Sequence, residues 1–382
     1  MKIVGIICEY NPFHNGHQRQ LRLIRQMLGE DTAIVCAMSG SFVQRGAPAI
    51  FPKSIRAEAA VRCGADLVLE LPVNYALSSA EGFASGGVKI LGQLCDRLCF
   101  GSETGNTDNI MSTAQILLSP GFSAALRQQL DNGLSFPAAR QKALEQIGAD
   151  ASALTQPNDI LAVEYCKAIL AQNLSMTPLP ILRNGSYHNL TPQPDAPSAT
   201  SLRLLLQRAQ EISPYIPRAA EAVFAGAAIH CLCAGESAML YRLRTMTDEE
   251  FEALPYGSEG LWRKLMQASR SQATLEDILT AVKSKRYTRS RLDRMVMCAF
   301  LGIDRQALSS PPDYTRVLAF NDRGRQILAQ HRKRQHFVHT GEPVAHPHWA
   351  LEQRCEDLYG LFASDGPEPA GQSRRERIFY LK

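Results

Sequence analysis

Four short apolar runs within the first hundred residues alternate with stretches whose apolar positions recur at three and four. The first run, Ile3-Val4-Gly5-Ile6-Ile7, is followed by Leu21, Ile24, Met27 and Leu28 at helical spacing. A second run over residues 32–38 ends in Ser39-Gly40-Ser41, and a helix is expected over 52–63 with Gly64 as its stop. Residues 66–72 read as a third strand, a helix over 79–91 follows, and Arg97-Leu98-Cys99-Phe100 reads as the fourth. Alternation at this spacing predicts an α/β fold, a doubly wound parallel sheet. Right-handed crossovers then bring the strand ends and the loops after them to one edge.

Beyond that unit, residues 107–147 read as helical. A further helix is expected over 158–169, with Asn158 placed after Pro157 as an N-cap. Residues 179–183 are strand-like and lead into a polar loop, 184–188, and a Pro-rich connection, 191–197. From about Ile212 the pattern turns to helices with little strand character, with Leu261, Met266, Leu275, Ile278, Leu279 and Val282 marking their apolar faces. The expected organisation is two domains, residues 1–211 and a mainly helical 212–382. Residues 364–371 look flexible, with 378–381 docking again.

Composition excludes several classes. The 382 residues suffice for a sizeable core, and there is no apolar run long enough to span a bilayer. The chain opens directly on a strand, without the basic and apolar regions of a secretory signal, so a cytoplasmic protein with no membrane partner is expected. Ten cysteines in a chain of this length do not form a disulfide framework. Cys8, Cys36, Cys63, Cys95, Cys99 and Cys166 read as small buried hydrophobes. Cys231-x-Cys233 and His346-x-His348 have metal-like spacing but lack further ligands, and no metal site is predicted. Net charge is only +4, so any nucleic-acid surface must come from local clustering.

The chemistry concentrates where the first strand gives way to the first helix, at Cys8-Glu9-Tyr10-Asn11-Pro12-Phe13-His14-Asn15-Gly16-His17. Backbone N–H groups at a helix start lack intrahelical partners, and the dipole is positive there, so the position favours phosphate. His14 and His17, three apart, share one face of the first turn, where they can stabilise charge developing on a phosphoryl group. Gly16 permits close approach of a nucleotide. Ser39, Gly40, Gln44, Arg45 and Gly46 fall at the same edge and can shape a pocket for a carboxylate or phosphate. Glu70 and Glu103 read as surface carboxylates, with metal or ribose binding as the alternative. A second phosphate-type signal, Ser198-Ala199-Thr200-Ser201-Leu202-Arg203, precedes a helix, where hydroxyls cap and Arg203 can hold pyrophosphate in bidentate fashion.

The first stretch resembles the His-x-Gly-His signature of the nucleotidyltransferase superfamily, and the Ser/Thr-rich turn ending in Arg203 resembles its second signature, with arginine where some branches have lysine. The string from Gly5 to His17 looks more specifically like the bacterial tRNA(Met) cytidine acetate ligases. So do Ser39-Gly40-Ser41-Phe42-Val43-Gln44-Arg45-Gly46, the stretch from Gly64 to Pro72, and Phe100-Gly101-Ser102-Glu103. The resemblance implies a Rossmann-like, nucleotidyltransferase-type sheet. It implies ATP contacts at Ile7, Cys8, Glu9, Tyr10, Asn11, Pro12, Phe13, His14, Asn15, Gly16, His17, Gly101, Asn158 and Arg183, with Ser201 and Arg203 on the leaving group. The implied reaction joins acetate to ATP as acetyl-adenylate and passes the acetyl group to N4 of the wobble cytidine of elongator tRNA(Met). His14, His17, the helix terminus and Arg203 are the positive ends for this step, and Mg²⁺ is expected to be held mainly by the phosphates.

Lys283, Lys285, Arg286, Arg289, Arg291 and Arg294 make a run of six basic residues broken by Tyr287 and one acid, Asp293. With the second group at Arg332-Lys333-Arg334, they are the expected tRNA phosphate contacts. Two alternatives stay open: a small-molecule adenylyltransferase, which leaves the basic half without a task, and a non-catalytic RNA-binding protein on a nucleotide fold.

Overall fold

The structure, a computed structural model, describes residues 1–183, 193, 197–310, 312–339, 344–375 and 377–382. The polar loop 184–188 and most of the Pro-rich connection lie outside the described residues. The apolar runs become β1 (Ile3–Cys8), β2 (Ala33–Ser39), β5 (Leu67–Leu71), β6 (Arg97–Ser102) and β7 (Thr177–Leu182), after a small antiparallel hairpin, β3 (Phe42–Val43) and β4 (Ala47–Pro48). These five long strands are mutually parallel in the order β5-β2-β1-β6-β7. Register runs from Ile3 opposite Ala33 to Cys8 opposite Met38, and Gly101 of β6 faces Ile181 of β7. Winding reverses between β1 and β6, so a crevice opens outside their carboxyl ends.

Period-two alternation sorts the strand residues onto two faces. Ile3 and Ile7 pack with Phe83, Val88 and Leu91 of the helix Ala80–Leu91 and with Val163 and Cys166 of the helix Pro157–Ala171. Val4 and Ile6 pack on the other face with Leu21 and Ile24 of the first helix, Asn15–Leu28, and with Ala57 and Val61 of Lys53–Arg62. Full burial of a side chain such as Leu21 or Ile24 stabilises the fold by about 2 kcal/mol. A third core joins Leu243, Leu265, Ile278, Met295 and Phe300 of the later helices.

The structure departs from the sequence reading in the later half. Tyr314–Asn321 is a strand, β8, and it pairs antiparallel with β5, Leu69 facing Val317. β9 (His336–Val338) and β10 (Phe379–Leu381) pair parallel with β8, so the sheet has eight strands. Glu70 is not a surface carboxylate. Its place in the interior strand β5, beside β8, buries it (3 % exposed) with Lys53, Arg316 and Glu356. The stretch 364–371 is pinned rather than loose, by Glu368 N–H to the Gly360 carbonyl and Gly371 N–H to Asp357.

Cys231 and Cys233 form a disulfide, whereas the remaining eight cysteines are free and all but Cys8 buried. His346 caps the helix Pro347–Tyr359 by accepting the His348 N–H on Nδ1. Among the described residues no cluster of three metal-ligating side chains occurs, and no helix is long and apolar enough to cross a membrane.

Candidate active site

The chain leaves β1 at Cys8 and turns through Tyr10, whose φ of 44° is left-handed, before His14 caps the first helix. Buried Arg56 braces this turn. Its guanidinium donates to the carbonyls of Glu9 (2.6 Å), Ser39 (3.1 Å) and Gly40, and its Nε to Phe51 (2.9 Å). One cation thus ties together the ends of β1 and β2 and the loop that follows. Asn11 is fixed from two sides, its Oδ1 accepting the Ile50 N–H at 2.7 Å and its carbonyl accepting Arg203 Nη1 at 2.7 Å.

His14 and His17 stack with ring centroids 3.6 Å apart, and the edges of Tyr10 and Phe13 support His17. The His14 backbone N–H donates to Nδ1 of His17 at 3.2 Å. With Nδ1 an acceptor, the neutral ring carries its proton on Nε2, ready to donate. Burial, followed by Arg183 and Arg203, pushes His14 down to about 3. His17 is held well below its ordinary value by burial, His14 and Arg183. The histidines are therefore neutral N–H donors here, not the positive ends expected from sequence. Desolvation beside two arginines makes a third and fourth positive charge unfavourable. The cationic charge belongs to the arginines.

A cavity of about 750 Å³ opens at the β1/β6 crevice, lined by Ile7, Cys8, Glu9, Tyr10, Asn11, His17, Gly101, Asn158, Arg183 and Arg203 among others. A chamber of about 230 Å³ adjoins it, sharing Glu9, Asn11, His17, Arg45, Arg183 and Arg203 and adding His14, Ser198 and Thr200. At the β6 end a Cβ on Gly101 would stand 2.8 Å from Cδ of Arg183. Arg183 Nη1 donates to Asn158 Oδ1 at 3.1 Å, and Asn158 Nδ2 donates to Glu103 at 2.6 Å. Glu103 also accepts the N–H groups of Asn158 and Asp159, capping the Pro157–Ala171 helix. That, rather than metal or ribose, is its visible task.

Other expected residues sit behind the walls. Phe13 is buried under His17, and Asn15 donates to the Pro214 carbonyl. Gly16 leaves room for the His14 ring, which would lie 3.0 Å from a Cβ there. Pro12 does not line either chamber. Ser201 is buried, and its hydroxyl donates to the Ser198 carbonyl at 2.8 Å, so capping of Ala199–Gln207 engages it instead of the cavity. Arg203, one turn into the same helix, does reach the cavity and also donates to Thr200 Oγ1 at 3.1 Å. Gln44 and Arg45 line the cavity as well, whereas the Ser39 and Gly40 carbonyls face Arg56.

The basic run divides. Lys283 and Lys285 are exposed. Arg286 pairs with Glu259 at 2.6 Å, and Arg291 donates to the Tyr256 carbonyl at 2.8 Å. Arg289 pairs with Glu276 and Asp293. Arg294 is withdrawn from the surface, stacked over Tyr256 and donating to the Gln44 carbonyl. The sequence showed the charges but not these partners, of which Glu276 comes from the preceding helix, Glu259 and Tyr256 from the connection before Leu261, and Gln44 from the loop after β3. Arg289, Ser290 and Asp293 instead form part of the cavity wall, a placement no local signal announces.

The sequence profile of the HIGH Nucleotidyl Transferase family matches residues 1–373. The chain is 34 % identical to the tRNA(Met) cytidine acetate ligase of Acetivibrio thermocellus, covering all of both chains, and 34 % identical to that of a Geobacillus species, covering 97 % and 96 %. The crystal structure of Thermotoga maritima TmcAL without ligand superposes with a TM-score of 0.91, and the form bound with alpha-thio ATP with 0.88. Both are 29 % identical and covered in full. With its paired histidines at the helix start and its whole length matched, the chain belongs to the HIGH nucleotidyl transferase family, among the tRNA(Met) cytidine acetate ligases.

Proposed function

We propose that this protein is an ATP-dependent acetate ligase that forms N4-acetylcytidine at the wobble position of elongator tRNA(Met) through acetyl-adenylate. The observation that carries the reading is one cavity at the β1/β6 crevice that gathers the His17 Nε2–H donor, the first helix terminus, Arg183 and Arg203. Adenine and ribose lie toward Gly101 and Asn158, and the phosphates toward His17, the His14 chamber and Arg203. A solved relative holds an ATP analogue.

Acetate attacks the α-phosphate and pyrophosphate leaves. Charge accumulates on the phosphoryl oxygens as it does so, and fixed N–H donors stabilise it without reorganising. Neutral imidazoles suit this task because they donate without adding a desolvated charge. Arg203 and Arg183 offset the charge of the leaving group and acetate. No protein nucleophile is required, since positioning carries the displacement. Mg²⁺ fits as a phosphate-bound ion. Glu9 is the carboxylate on hand, one of its oxygens already accepting the Gln44 N–H at 2.7 Å, and the ion would supply charge neutralisation. ATP, acetate and tRNA as substrates place the reaction in the cytoplasm.

The test is acetylation of an elongator tRNA(Met) transcript with ATP, Mg²⁺ and labelled acetate. ATP-dependent label in the wobble nucleoside, absent with His17→Ala, is the expected result. No label in the presence of bound tRNA would overturn the reading and favour a small-molecule adenylyl acceptor.

A further inference from the structure

The large cavity continues past the residues that face ATP. Part of its wall is supplied by the helix Arg289–Leu301, through Arg289, Ser290 and Asp293. That wall is fastened to the nucleotide end rather than merely near it. Arg294 Nη1 donates to the Gln44 carbonyl at 3.3 Å, and the Gln44 N–H donates to Glu9 at 2.7 Å. Gly46, at φ 77°, lies so close that a Cβ would come within 2.4 Å of the Arg294 backbone nitrogen. Asp293 is therefore held at a fixed place on the wall of the cavity that also holds the proposed ATP site.

Arg289 orients this carboxylate, its Nε donating to Asp293 Oδ1 at 2.8 Å while Glu276 holds its other edge at 2.7 Å. Fully paired in this way, Arg289 is a positioning residue and not a phosphate contact. The Asp293 side chain is 24 % exposed, and its second oxygen accepts no hydrogen bond among the described residues. Burial, with repulsion from Glu276, raises the affinity of this carboxyl for a proton against the opposing pull of Arg289 and Arg294.

We infer that this wall is the acceptor-base subsite, with Asp293 receiving an N4–H of the target cytosine. The inference rests on the acetate-ligase reading of the same cavity. Cytosine presents an N4 amino donor where uracil presents an acceptor, and Asp is a natural partner for the former. The base reaches the cavity by leaving its stack. Exposed Lys283 and Lys285, in the segment just before the helix, give the flanking phosphates a footing. In the transfer step the N4 lone pair attacks the carbonyl carbon of acetyl-adenylate. A C–N bond forms, and the C–O bond to phosphate breaks with its electron pair leaving on AMP. The surplus N4 proton passes to Asp293 and then to solvent.

The two half-reactions separate this role from a structural one. Acetate-dependent ATP–pyrophosphate exchange reads adenylation, and label transfer to the tRNA transcript reads the acceptor step. Asp293→Asn is expected to keep exchange within about twofold of wild type and to lower transfer by roughly 10²-fold or more. Asp293→Glu is expected to recover part of the transfer. The wild-type transfer rate should fall on acidification, and the Asp293→Asn residual rate should not. Unchanged transfer, or equal loss of both half-reactions, would overturn the inference while leaving the ligase reading intact. A wild-type protein that exchanges but never labels tRNA, or does neither, would overturn both.

Discussion

His17 accepts the backbone N–H of His14 on Nδ1 while the two rings stack 3.6 Å apart. The contact makes the second histidine part of the helix cap and, by occupying Nδ1, leaves Nε2 as the donor toward the phosphates. His17→Ala removes both. The loss of one preorganised donor costs about 10²–10³ in the adenylation rate, or roughly 3–4 kcal/mol. Single-turnover formation of acetyl-adenylate measures it. A rate within threefold of wild type would show that Nε2 does not face the reacting phosphate.

The same burial sets an acid limit. His14 is pushed down to about 3 in the folded chain, whereas an unfolded histidine titrates near 6.5. Between those values the unfolded state binds the proton and the folded state does not. Stability is therefore full above about pH 6.5 and falls on acidification, by about 1.4 kcal/mol per pH unit for this group. Urea midpoints at pH 7 and pH 5 should differ less for His14→Gln than for wild type. Equal slopes would mean the imidazole is not desolvated in the fold.

Asn158 stands between Arg183 and Glu103, and Glu103 also closes the start of its helix. Glu103→Ala releases Asn158 and leaves two backbone N–H groups without their acceptor. Stability should drop by about 1 kcal/mol, as for other lost caps. ATP affinity should weaken by about tenfold, with little change in turnover at saturating ATP. Calorimetric titration with ATP and a thermal melt read the two effects independently.

Behind the site, Lys53 and Arg316 pair with Glu70 and Glu356, and among the described residues no ion pair joins the nearby carboxyl of Glu352. Burial, then repulsion from Glu70, pushes Glu352 up to about 8, while its Oε1 accepts the Val73 N–H at 2.6 Å. Here the folded state keeps a proton that the unfolded state loses near pH 4.5. Stability is thus full below pH 4.5 and declines as pH rises toward 8. Glu352→Gln, neutral throughout and still able to accept from Val73, should melt about 2 °C or more above wild type at pH 9. The two proteins should converge near pH 5. A lower melting temperature at both pH values would mean the carboxyl is ionised in the fold.

What the sequence revealed follows the reach of each signal. His14, His17 and Gly16 lie within one helical turn and Arg203 follows its serines directly, all of them local patterns, whereas Gly101 and Arg183 end strand-like runs and entered the site only through the family resemblance. The pairing of Leu69 with Val317 has no local mark. The run around Val317 stands in a half of the chain where helical spacing dominates, so it reads as part of a helical region. Arg289 illustrates the same limit for charge. Its neighbours in sequence are basic, but its partner Glu276 lies on the preceding helix, and that pairing converts a surface cation into a cavity wall. Ser201 erred the other way, for a hydroxyl at a helix start serves the cap and a ligand equally well until geometry decides.

The late arrival of β8 also bears on how the chain is born. During synthesis β5 emerges with one long edge open, Leu67-Val68-Leu69 included, and its partner follows roughly 240 residues later, roughly 10–50 s at ordinary elongation speeds. An apolar, unpaired strand edge is an invitation to foreign strands for all of that interval. The nascent nucleotide-binding half is thus a natural client for ribosome-associated chaperones, and slowing translation between β5 and β8 should lower the yield of native protein.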